Sequence, residues 1–163
     1  MNKQKNSHAS IWWLLGFISL CFTIAFLGSV TTKQGLTPWY AQLHKASWNP
    51  PAWVFPPVWT VLYTMIAISG WMIFKAHKSR KRDKAMRLYF AQLFFNGLWS
   101  LVFFYFQQPV LALLDLSLIL FFLGLTLQAT WPVSKNATWL LVPYAIWSVY
   151  AFSLNGAIVY FLK

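Results

Sequence analysis

Acidic side chains are almost missing from this chain: Asp83 and Asp115 are the only two among 163 residues. Charged residues of both signs reach only 9%, against about a quarter in soluble domains. With carboxylates this scarce, paired acids for general acid–base work have no source. A hydrolytic triad lacks its parts too, since Asp115 is the one acid inside an apolar stretch. Histidines are few and scattered, with His8, His44 and His77 in three separate polar segments, so no cluster has metal-ligand spacing. The single cysteine, Cys21, excludes an intrachain disulfide and leaves the redox compartment open. Glycine-rich phosphate loops, strand-like alternation and internal repeats are absent as well. The inventory therefore argues against conventional acid–base, metal or phosphoryl chemistry.

Apolar length is what the chain has instead. Hydrophobic residues make up 59% and aromatic ones 20%, with 11 tryptophans. Five segments approach the roughly 20 residues that cross a hydrocarbon core of about 30 Å: Ile11–Val30, Pro51–Phe74, Leu88–Phe106, Val110–Trp131 and Ala137–Leu162. Without water, backbone groups must bond within each segment, so the segments are helices. The pattern predicts an all-α membrane protein, a five transmembrane helix bundle forming one domain over residues 1–163 with an outer loop over 31–50. Lys3 and Lys5 before the first run resemble a secretory leader, but the run exceeds a leader core of about 7–15 residues and no Ala-x-Ala site follows.

The net charge of +11 is not a nucleic-acid footprint, because the bases avoid the apolar segments and cluster between two of them. Placing the N-terminus in the cytoplasm puts ten bases on that side: Lys3, Lys5, Lys75, Lys78, Arg80, Lys81, Arg82, Lys84, Arg87 and Lys135. Only Lys33, Lys45 and Lys163 lie opposite. The positive-inside rule then predicts a cytoplasmic N-terminus and an outer C-terminus, with Lys75–Arg87 as a solvated loop that sets topology.

Aromatics and prolines concentrate from Trp39 to Tyr63, where Trp48, Pro50, Pro51, Trp53, Pro56, Pro57 and Trp59 follow closely. Indole and phenol rings favour an interface that solvates both their apolar bodies and their polar tips. This stretch reads as a vestibule, with Pro56 and Pro57 expected to perturb the next helix and free carbonyls. Helical spacing puts Trp59 and Tyr63 on one face, Gln92, Asn96, Trp99 and Phe103 on another, and Tyr144, Trp147, Ala151 and Leu154 on a third, with Asn155 beside them. Three such faces form the wall of a flat, largely apolar pocket, in which Ala151 leaves room for a guest. Packing of the same rings into a solid core is the competing reading. Gln92 and Asn96 suit either interhelical bonding or ligand contact, and Asp115 is expected to pair with a neighbouring helix.

The run Trp39 through Tyr63, with Trp48-Asn49-Pro50-Pro51 and Val58-Trp59-Thr60-Val61-Leu62-Tyr63, then Gln92, Asn96, Trp99 and Asp115, then Pro143–Trp147 and Leu154-Asn155, resembles the translocator protein family, also called tryptophan-rich sensory proteins or peripheral-type benzodiazepine receptors. The likeness covers nearly all of the chain after residue 35 and points to a bacterial-type member in the cell membrane. It implies a five-helix bundle, commonly a homodimer, whose first long loop lids a pocket for porphyrins such as protoporphyrin IX and for isoquinoline carboxamide or benzodiazepine drugs. It places that pocket at Trp48, Trp53, Trp59, Tyr63, Asn96, Trp99, Trp147, Ala151 and Leu154. No obligatory cofactor is implied. A light- and oxygen-dependent breakdown of protoporphyrin IX has been attributed to paired pocket tryptophans, which correspond to Trp59 and Trp147. There are two departures from the pattern. Ala46 replaces a loop proline, which loosens the lid. Gly156 and Tyr160 replace the tyrosine and the basic residue of the sterol-recognition pattern, and only the degenerate match of Leu154, Tyr160 and Lys163 remains.

A porphyrin-binding membrane protein is thus the leading reading. A tetrapyrrole or lipid transporter is the first rival, although the chain has no repeat halves or matched broken helices. A stress-response regulator that signals through the Lys75–Arg87 segment is the second.

Overall fold

The computed structural model describes residues 2–35 and 39–162, with side chains from Ser10 onward. Leu36, Thr37 and Pro38 of the expected outer loop, the side chains of Lys3, Lys5 and His8, and Lys163 lie outside the described residues. Among those described, five helices are long and apolar enough to cross a bilayer. They are α1 (Asn2–Gly35), α2 (Phe55–Lys75), α3 (Arg80–Ser100), α4 (Pro109–Thr130) and α5 (Lys135–Phe161). A single 3-10 turn, Ala52–Val54, leads into α2, and a π turn, Leu101–Tyr105, extends α3.

The fourth and fifth spans agree with the hydropathy boundaries to within two residues, whereas the first and third are longer at their polar ends. Helix α1 runs past Val30 to Gly35, which shortens the outer loop. The basic stretch Lys75–Arg87 is a loop only at Ala76–Ser79, because α3 begins at Arg80. Ser79 caps that helix by accepting from the Arg82 amide at 3.3 Å, Asp83 lies in the first turn, and Lys and Arg are good helix formers. Hydropathy marks only the hydrocarbon-facing part of such a helix. The prolines differ from expectation for a related reason. Pro56 and Pro57 occupy the first turn of α2, where no intrahelical donor is lost, so they start the helix instead of disturbing it. The Pro56 carbonyl is taken up by Thr60 Oγ1 at 2.8 Å.

Around the bundle α1 packs on α2, α2 on α5, α5 on α4, α4 on α3, and α3 back on α1, which closes a ring; α2 also touches α3. The buried core along this ring includes Phe17, Cys21, Ile66, Tyr89, Ile119 and Tyr144. Arg82 ties two helix ends on the basic side. Its guanidinium donates to the Phe74 carbonyl and to Asp83, both at 2.9 Å, and lies 4.8 Å over the Phe74 ring. On the opposite side Gln107, with φ 54°, makes the left-handed turn that lets α4 fold back beside α3.

Gly70 decides how closely α2 and α3 approach. Tyr89 crosses that glycine to reach the Ile66 carbonyl at 3.0 Å, with Cys21 Sγ 3.7 Å from its hydroxyl. A Cβ at Gly70 would stand 2.5 Å from Tyr89 Cζ and 2.8 Å from Phe17 Cδ1. Gly70→Leu is therefore expected to cost about 1–3 kcal/mol, read as a lower thermal midpoint in detergent; an unchanged midpoint would refute this packing.

Candidate functional site

The half of the bundle away from the basic Lys75–Arg87 end gathers most of the residues singled out above. Tyr63 on α2, Asn96 on α3 and Tyr144 on α5 are buried and linked. The Tyr63 hydroxyl donates to Asn96 Oδ1, and Asn96 Nδ2 donates to the Tyr144 hydroxyl at 2.8 Å. One amide thus joins three helices, and a donor and an acceptor that would each be costly alone in hydrocarbon satisfy one another. Further from the basic end, Trp99 Nε1 donates to Asn155 Oδ1 at 3.3 Å, while Asn155 Nδ2 donates to the Pro109 carbonyl at 2.9 Å. Asn155 thereby fixes α5 to both arms of the α3–α4 hairpin near its turn.

Trp59, Trp99, Trp147 and Ala151 are half-buried above this layer, and Leu154 is buried. Trp59 leans on Tyr63 with centroids 5.5 Å apart, and Trp147 meets Phe55 edge-on at 6.0 Å and Tyr150 at 5.4 Å. Trp99 stacks on Phe103 at 5.1 Å. Trp59 and Trp147 therefore have separate aromatic partners and share no ring contact among the described residues. Trp48 and Trp53 are mostly exposed, at 56% and 74%, so the loop rings stand at the mouth and not inside it.

The loop is nonetheless fastened. Tyr150 Oη donates to the Trp48 carbonyl at 2.7 Å, and Trp48 Nε1 donates to Ser153 Oγ at 3.3 Å. Ala46, expected to loosen this lid, is buried. Tyr40 supports the same loop by donating to Asn49 Oδ1 at 3.4 Å, and burial pushes its phenol pKa up. Asn49 Nδ2 in turn reaches the Pro50 carbonyl at 3.0 Å, while Pro51 precedes the 3-10 turn. Tyr150 and Ser153 were not singled out from the sequence, although each lies three residues along the α5 helix from Trp147 or from the other, a spacing that places them side by side.

Two of the buried polar residues singled out above have no hydrogen-bond partner for their side chains. Asp115 is buried on α4, yet neither carboxylate oxygen has a partner, so the expected interhelical pairing is not made. Its neighbours along the buried face of α4 are Ala112, Leu116 and Ile119, none of which can donate. Gln92 is wholly buried with both amide atoms unpartnered, in contrast to Asn96 one turn away. Among the described residues no three potential ligands gather to hold a metal ion.

The sequence model of the TspO/MBR family matches residues 17–161. The chain belongs to the TspO/MBR family. It is similar to the tryptophan-rich protein TspO of Chlorobaculum tepidum, at 39% identity over 98% of each chain. It is also similar to the tryptophan-rich sensory protein of Cereibacter sphaeroides, at 37% over 83% of this chain and 85% of that one. With the human translocator protein it shares 36% over 82% and 83%. Together with its five apolar helices, this makes the TspO/MBR member described here a multi-pass integral membrane protein.

The amide node gives a direct test within this family member. Asn96→Leu leaves the Tyr63 and Tyr144 hydroxyls without their shared partner, and is expected to cost about 1–3 kcal/mol, whereas Asn96→Gln or a Tyr63→Phe change should cost less. Thermal unfolding in detergent measures the difference, and equal midpoints would contradict the node.

Proposed function

We propose that this protein binds a planar, largely apolar guest, a tetrapyrrole such as protoporphyrin IX, and accepts isoquinoline carboxamide drugs at the same place. The observation that carries the reading is the packing of half-buried Trp59, Trp99 and Trp147, from three helices, against one core cluster that holds a hydroxyl–amide node, near a loop fastened to α5. Indole faces suit a flat aromatic guest, and the amide and phenols supply a few oriented polar contacts. Trp48 and Trp53 close over the bound guest, Ala151 leaves it space, and Leu154 completes the apolar wall. The protein needs no obligatory cofactor, and two copies form a homodimer.

In the light, the porphyrin itself absorbs the energy and dissolved oxygen is the oxidant. The chain's part is to hold the macrocycle against Trp59 and Trp147 and to keep bulk water away. Trp59→Phe and Trp147→Phe are expected to keep dark binding of protoporphyrin IX within a few-fold, measured by fluorescence quenching, and to slow its bleaching under light by about ten-fold or more. Loss of dark binding in neither variant together with unchanged bleaching would remove the photochemical role, and absence of any saturable quenching in the unsubstituted protein would remove the binding role.

The protein lies in a bacterial cell membrane with its N-terminus and the basic end of α3 in the cytoplasm, and its C-terminus and the Trp48 loop outside. Cys21 is fully buried, so a cysteine introduced at Ser47 or at Ser79 is the one accessible thiol. An impermeant maleimide on intact cells should label Ser47→Cys and spare Ser79→Cys; the opposite pattern inverts the topology.

A further inference from the structure

A groove of about 580 Å³ opens between the outer loop and the end of α5, separate from the amide node. Gly156 and Ala157 line it with almost no side chain, beside the rings of Trp48, Tyr160 and Phe161. A Cβ at Gly156 would meet nothing within 4 Å, so the space over the α5 backbone is open. Tyr160 and Phe161 are exposed at 70% and 51%, at the end of a membrane span, and so the groove opens away from the bundle interior. Its volume is in the range of about 300–1,000 Å³ that holds small ligands.

Lys45 supplies its charge. The ammonium is held over the Tyr40 ring at 4.8 Å and within 3.3 and 3.4 Å of the Leu43 and Ala41 carbonyls. Those two acceptors fix the cation in position without neutralising it, and a third N–H remains. Among the described residues no carboxylate side chain balances it, since Asp83 is bonded to Arg82 on the basic side and Asp115 is buried in α4. A positioned, uncompensated cation beside a bare helix backbone and interfacial aromatics matches a phosphate headgroup with an attached acyl chain.

We propose that this groove is a site for an anionic phospholipid of the surrounding bilayer, with its phosphate on Lys45 and the start of an acyl chain lying across Gly156 and Ala157. Such a lipid packs against Trp48 and thereby against the fastened loop.

Native mass spectrometry of the full chain in detergent, with phosphatidylglycerol or phosphatidylcholine added, tests the site. The unsubstituted protein should retain phosphatidylglycerol in preference. Lys45→Gln should lower that preference about five-fold, the weight of one basic residue at an anionic surface, and Lys45→Arg should keep it. Gly156→Leu, which fills the open space, should reduce retention of both lipids. Neither change touches a buried core side chain, and thermal midpoints verify that the variants are folded. A combined Lys78, Arg80, Lys81 and Lys84 to Gln variant, at the opposite end, should leave the decrement caused by Lys45→Gln unchanged. The proposal is overturned if the unsubstituted protein shows no headgroup preference, if Lys45→Gln retains it, or if Lys45→Gln lowers it no further in the α3 variant.

Discussion

Hydrocarbon offers no partner to a polar group, and that constraint shapes this bundle more than any other. Asn96 meets it by linking Tyr63 and Tyr144, and so commits α2, α3 and α5 to one mutual register. Asn155 meets it again nearer the surface, through Trp99 and the Pro109 carbonyl. Ser69 does so at the basic end by donating to the Ala137 carbonyl at 2.8 Å. Each bond is modest alone, since similar bonds within bilayers average below about 1 kcal/mol. Their value is directional: apolar surfaces slide over one another with little penalty, and these amides and hydroxyls do not.

The aromatic mouth depends on that register. Trp59 rests on Tyr63, and Trp99 is held by Asn155, so the indoles that face the vestibule are set by the polar layer beneath them. The loop is positioned by the same logic one layer further out, with Tyr150 and Ser153 of α5 both holding Trp48. Asp115 and Gln92 stand outside the scheme, buried and without partners. A bundle that satisfies its other amides so closely makes these two the points where hydration or a guest's polar groups would be most strongly felt.

Much of this was legible in the residues. Length of apolar run gave the five helices, and spacing of three and four put Tyr63, Asn96 and Tyr144 on inward faces. Boundaries were less legible, because hydropathy reports the lipid-facing part of a helix and not its capped, charged extension from Arg80. Partner choice was less legible still: nothing in one sequence says that Asn96 finds two phenols while Asp115 finds none, since that depends on how five rods rotate. The fastening of Trp48 joins residues 102 and 105 positions apart. Pairings at such separation leave no local pattern, and only the folded chain reveals them.

The π turn at Leu101–Tyr105 has a consequence for how the two ends of α3 relate. A π turn accommodates an additional residue, and each residue advances a helix by about 100°, so one helical wheel cannot describe the whole span. The turn acts as a gear change between the Asn96 layer and the aromatic group of Trp39, Tyr40, Phe103 and Phe104. Shortening it by a residue would swing Phe103 and Phe104 out from under Trp39 and Tyr40 while the inner amide kept its place. The depth of the bundle and the shape of its outer rim are, in that sense, independently adjustable.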